Sequence, residues 1–165
     1  MSALKKLNQY VNKVFLFVSV VLLAIVIIAT TLQVFTRYIL NASLSGTDEI
    51  ARFAFVWMSM LGASICVREH GHAVVSVLND ALKQRIHLQR FHQNTVELLI
   101  VIGAVILLIY GTQLVLATTE QRSAGLGIPI SFTYACIPVG AAGMILNGIV
   151  NILDSGANKK GGVAE

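Results

Sequence analysis

Four long apolar runs, almost free of charge, dominate this sequence and leave few ways for it to fold. They cover about residues 14–35, 50–67, 95–118 and 131–153. A membrane-spanning helix needs about 20 predominantly apolar residues, so each run is long enough to cross a bilayer. The first and fourth carry no charge, the second only Arg52 and the third only Glu97, each near the start of its run. Charged residues make up 12% of the chain, against about 25% in a soluble domain. A sphere of 165 residues has too little interior to hide 56% hydrophobic residues from water. A cytosolic enzyme, a nucleic-acid binder and a disordered chain are thereby excluded. The net charge is only +4, and most of the basic residues sit between the apolar runs, a pattern suited to a membrane surface. The expected fold is an all-α integral membrane protein. It has four transmembrane helices in one domain, residues 1–153, followed by a disordered tail over 154–165.

The first run follows Lys5, Lys6 and Lys13, as a signal peptide would. At about 22 residues it is longer than a signal core, and no small-x-small cleavage site follows, so a retained span is expected. Pro138 lies inside the fourth run and predicts a kink there. Orientation follows the basic residues. With the N-terminus inside, Lys5, Lys6, Lys13, Arg68, Lys83, Arg85, Arg90, Lys159 and Lys160 fall on the inner side, nine of the twelve. Arg37, Arg52 and Arg122 fall outside. Both termini are therefore expected in the cytoplasm. Two further segments have helical periodicity without spanning. Leu4, Leu7, Val11 and Val14 form an apolar stripe backed by Lys5, Lys6, Asn8, Gln9, Asn12 and Lys13. Val75, Leu78, Leu82 and Ile86 form another, beside Lys83, Arg85 and Arg90. Both are expected as amphipathic interfacial helices, with these six lysines and arginines at anionic lipid.

Ionisable groups inside a membrane are costly and usually functional, yet none falls near the middle of any run. His70, His72, His87 and His92 gather in the inner loop and read as interfacial or solvated, and His70-x-His72 alone is a weak metal signal. Cys66 and Cys136 lie within apolar runs, without a C-x-x-C pair, and read as small packing residues. No catalytic constellation, cofactor site or metal site can be assembled. The densest cluster opens the second run: Thr47, Asp48, Glu49 and Arg52. Thr47 can cap the helix and place acids in the first turn, with Asp48 and Glu49 at i,i+4 and i,i+3 from Arg52. The cluster is either a well-capped helix start or a charged turn aimed at Arg37 or at another protein. Trp57 is too deep for an interfacial belt, which leaves packing inside the bundle or against a partner. At the other end of the second run, Arg68 can pair with Glu97 and tie two helices. Gly62, Ala63, Gly103, Gly111, Gly140, Gly143 and Gly148 are expected to let helices approach closely. Gln33, Gln113 and Asn147 can bridge helices by hydrogen bonds.

These residues carry a resemblance. From Phe35 to His72 the chain reads F-x-R-Y, then D-E-I-A-R-F-x-F-V-W-x-x-x-L-G-A, then V-R-E-H-G-H. Leu126-Gly-Ile-Pro-Ile130 and Ile137-Pro-Val-Gly140 follow. Over about residues 10–150 this resembles the small membrane subunit of the tripartite ATP-independent periplasmic (TRAP) transporters. The residues that match the family's pattern are Asp48, Glu49, Arg52, Trp57, Leu61, Gly62, Ala63, Arg68 and His72. Many members have a Trp two residues before the acidic pair, where this chain has Gly46.

The resemblance implies an accessory scaffold. A large membrane subunit moves a carboxylate solute, such as a dicarboxylate or sialic acid, with a cation gradient, commonly sodium. An extracytoplasmic binding protein delivers it, docking on the outer face. The small subunit braces the large one in the inner membrane and carries no catalytic or transport residue. Because the chain ends at Glu165, its large partner is expected as a separate polypeptide. Arg37, Asp48, Glu49, Arg52, Trp57, Arg68, His72 and Glu97 are then the candidates for partner contact or for tying helices together. Two other classes predict different behaviour. A self-sufficient small exporter or channel transports solute alone, and a membrane-bound redox enzyme shows a cofactor spectrum.

Overall fold

The structure, a computed structural model, describes residues 2–39, 45–69 and 86–161, with the burial of side chains defined over 4–39, 46–69 and 95–153. It is built of helices: α1 (Ser2–Ile39), α2 (Ser45–Arg68), α3 (Ile86–Ala117), α4 (Ile130–Tyr134) and α5 (Cys136–Gly161). The helices long and apolar enough to cross a membrane are Leu4–Ile39, Gly46–Arg68, Thr95–Ala117 and Ile130–Leu153, the last combining α4 with α5. Each lies where hydropathy places a span.

α1 packs along α2, α2 along α5, and α5 along α3, so α2 and α5 form the middle of the row. The seam of α1 is regular. Asn8, Asn12, Phe15, Ser19, Leu22, Val26, Ala29, Gln33 and Thr36 are its buried or half-buried line, at alternating spacings of four and three. That 3.5-residue period is the one that keeps two helices in contact through a left-handed supercoil. Thr47, Ala51, Ala54, Met58, Leu61, Ile65 and Arg68 form a line of the same period on α2. The other side of α2 faces α5 through glycines. A Cβ at Gly140 would lie 3.0 Å from the Met60 carbonyl oxygen, and one at Gly143 would strike Ser64 Oγ and the Phe15 ring. On the far side of α5, a Cβ at Gly148 would lie 2.6 Å from Val101 Cγ2, and one at Gly111 of α3 2.6 Å from Ile137 Cγ2. A small core of Val67, Ala104 and Met144 joins α2, α3 and α5.

Three expectations are corrected, and the kink expected at Pro138 is located. The N-terminal amphipathic segment is no separate interfacial helix. It is the start of α1, and it buries its asparagines: Asn8 is 3% and Asn12 2% exposed, against 54% for Leu7. Asn12 bonds both Asn8 and Asn147 of α5, so the amides keep hydrogen-bond partners when buried. Gly62 and Gly103 make no close approach within the chain, since a Cβ at either would meet nothing within 4 Å. The disturbance expected from Pro138 falls at Ala135, between α4 and α5, and the two together remain one span. Pro138 has no N–H to offer the carbonyl of Tyr134, four residues back, so the ladder gives way there. Ala135 N still bonds Ser131 O (2.9 Å) and Val139 N bonds Ala135 O (3.3 Å), which keeps the path helical. Finally, the tail expected to be disordered from 154 is helical as far as Gly161, because α5 extends a nucleated helix through Ala157, Lys159 and Lys160. The stripe from Val75 to Leu82, with Lys83 and Arg85, lies outside the described residues. Ile86 and Arg90 belong to α3.

Candidate functional site

Polar side chains gather at the two ends of the helix row. At the end away from the termini, Glu49 stands one turn into α2 and is buried. It accepts three hydrogen bonds from the segment that links α3 to α4: Ser123 Oγ to Oε2 (2.7 Å), Gly125 N to Oε1 (2.9 Å) and Leu126 N to Oε2 (2.9 Å). The segment can reach the carboxylate because it folds back on itself. Ser123 N bonds Ile128 O and Ile130 N bonds Gln121 O, both at 2.9 Å, and Arg122 pairs with Pro129 as an isolated bridge. Gly127, at φ +66°, supplies the left-handed turn that a residue with a side chain adopts only with strain. Arg122 Nη1 donates to Gly127 O at 3.1 Å. Leu126 then lies over Gly46, where a Cβ would be 3.2 Å from its Cδ2.

The neighbours of Glu49 complete this end. Helix α2 begins at Ser45, so Thr47 lies inside the first turn instead of capping it. Asp48 accepts from Gln33 Nε2 of α1 at 3.3 Å, and not from Arg37 in any described contact. Arg52 is exposed and acts on Glu49 electrostatically from one turn below. Arg37 is exposed in the last turn of α1. Trp57 is half-buried and turned toward α4: its Nε1 donates to Phe132 O (3.2 Å), and its ring lies 5.6 Å from the Phe132 ring. That carbonyl belongs to α4, just where Pro138 disturbs the ladder.

At the end carrying the termini, asparagines form a ladder. Asn12 Nδ2 donates to Asn8 O and Asn8 Oδ1 (both 2.8 Å) and to Asn147 Oδ1 (2.7 Å). Asn147 Nδ2 returns a bond to Asn12 Oδ1 (3.1 Å) and donates to Ser64 O (2.7 Å). One turn further along α5, Asn151 Nδ2 donates to Val67 O (2.9 Å) and Glu97 Oε1 (3.1 Å). Glu97 is thus linked to α2 by way of Asn151, where a pair with Arg68 was expected. Asn147 was foreseen as a bridge, whereas Asn8, Asn12, Ser64 and Asn151 were not. Their signal was the 3.5-residue line of polar residues on α1 and the i,i+4 pair of asparagines on α5. Gln113 is exposed. His72 lies outside the described residues.

Among the described residues, these carboxylates, amides and the indole hold helices and one loop together through hydrogen bonds. A family model described as "Tripartite ATP-independent periplasmic transporters, DctQ component" matches residues 26–156. The chain is 28% identical over 156 residues to the sialic acid TRAP transporter small permease protein SiaQ of Vibrio cholerae, covering 92% of this chain and 86% of that protein. It is 34% identical over 79 residues, about half of each chain, to a putative TRAP transporter small permease protein of Haemophilus influenzae. It is also 24% identical over 131 residues to the sialic acid TRAP transporter permease protein SiaT of Haemophilus influenzae, covering 79% of this chain and 21% of that protein.

Proposed function

The chain belongs to the DctQ component family of the TRAP transporters, and from that premise we propose that it is the bracing subunit of a transporter for a carboxylate solute. The solute is of the sialic acid or dicarboxylate type, moved by a cation gradient through a separate, large permease. The observation that carries this reading is the match to SiaT, in which a segment like this chain makes up 21% of a much longer permease. A module that elsewhere shares a polypeptide with a permease works beside one. The polar architecture supports the same reading. Hydrogen-bonded groups hold the helices at both ends of the row, and the described spans keep their charges near the ends, so the unit is built for fixed depth and shape. A moving permease needs such a fixed neighbour in the bilayer.

Both termini then face the cytoplasm, as nine of the twelve lysines and arginines indicate. The opposite end faces the periplasm, where the segment pinned by Glu49, with exposed Arg37 and Arg52 beside it, offers a firm docking floor for a solute-binding protein. The test is co-purification from cells that express this chain together with a large TRAP permease from the same genome. The two are expected to elute together in constant ratio from an affinity tag on this chain. Elution of this chain alone, with the permease intact in the membrane, contradicts the reading.

A further inference from the structure

Between Lys13 and Arg37 helix α1 carries no charge. That stretch is about 36 Å long at 1.5 Å per residue, already more than the ~30 Å of a bilayer's hydrocarbon core. The turns before Lys13 therefore stand at headgroup level. One side of them is occupied: Asn8 and Asn12 are buried there, and Asn12 bonds Asn147 of α5. On the opposite side of the helix runs a second line, Lys6, Tyr10, Lys13 and Phe17, at spacings of four, three and four. All four side chains are exposed, Tyr10 at 68% and Phe17 at 71%. Among the described residues neither lysine meets a carboxylate. Beyond Phe17 the line runs on into the open aliphatic surface of Val20, Val21 and Ile28.

We propose that this line binds an acidic phospholipid. Lys6 and Lys13 stand about 10 Å apart along the axis, and their flexible stems bring both ammonium groups to a headgroup phosphate beside Tyr10. The Tyr10 hydroxyl stays in the polar layer and its ring at the boundary. The acyl chains lie on Phe17 and the aliphatic surface beyond it. Charge and depth select a lipid over a protein partner: the cations sit at headgroup level, and the stripe passes without a break into a surface that only hydrocarbon has to cover. The inference rests on the transmembrane placement of α1 and not on the bracing role.

The test is native mass spectrometry of the full chain in detergent, titrated with phosphatidylglycerol and, separately, phosphatidylcholine. Preference for phosphatidylglycerol is expected. The double variant Lys6→Gln, Lys13→Gln should lose roughly thirtyfold in apparent affinity for it, about fivefold per lysine. Lys6→Arg, Lys13→Arg should keep the affinity, and an unchanged melting temperature in both variants shows the fold intact. Equal binding by wild type and the Gln variant overturns the proposal. So does displacement of the lipid by equimolar inorganic phosphate, which would mean a plain phosphate site. Protection of Lys6 and Lys13 from acetylation by the large permease, with loss of the bound lipid, overturns it in favour of a protein interface.

Discussion

Glu49 and Asn147 do most to decide how this chain holds its shape. Glu49 accepts from three donors in a segment more than 70 residues away along the chain. Glu49→Gln keeps the size but puts an NH2 where an acceptor oxygen was. It should lower stability by about 1–3 kcal/mol, seen as a lower melting temperature in detergent. Hydrogen exchange at the Gly125 and Leu126 amides should quicken at the same time. Asn12 and Asn147 exchange two hydrogen bonds. A double-mutant cycle of Asn12→Ala and Asn147→Ala should give a coupling energy of about 0.6–2 kcal/mol, and additive single effects would show that the pair is not cooperative. The sequence singles out Glu49 through its place in the D-E-x-x-R turn. Its donors were not legible there, because Ser123, Gly125 and Leu126 meet it only after the helices assemble. Asn8 and Asn12 were misread because periodicity shows which residues share a face, but not that α5 brings Asn147 against that face.

For the helices, hydropathy was enough to place every span, since length and apolarity are local properties. Their order in the row was not local. It is set by which glycines admit a neighbour, and a sequence does not say which glycine faces which helix. The contrast yields a paired prediction. Gly143→Val drives a side chain into Ser64 and Phe15 and should destabilise the chain by about 1–3 kcal/mol. Gly103→Ala meets nothing within 4 Å and should leave the isolated chain unchanged, or stabilise it by up to about 1 kcal/mol through helix propensity. Thermal melts of both variants check it. Trp57→Phe removes the bond to the Phe132 carbonyl while keeping a ring against α4. A loss of about 0.5–1.5 kcal/mol is expected in the same melts.

As a whole, the molecule is a row of helices clamped at both membrane surfaces, with Glu49 and its loop at one end and the asparagine ladder at the other. Its outer helices leave large apolar surfaces open, α1 through Leu16, Phe17 and Ile28 and α3 through Leu99, Ile106 and Leu116. Such surfaces suit a unit that lies between lipid and a larger protein. The deciding measurement is solute uptake into vesicles driven by an imposed cation gradient, with the binding protein and its loaded solute outside. Vesicles with this chain alone should show no uptake. Those with the large permease alone should show little, and those with both should show full uptake. Uptake by this chain alone, or an undiminished rate from the permease without it, would contradict the bracing role.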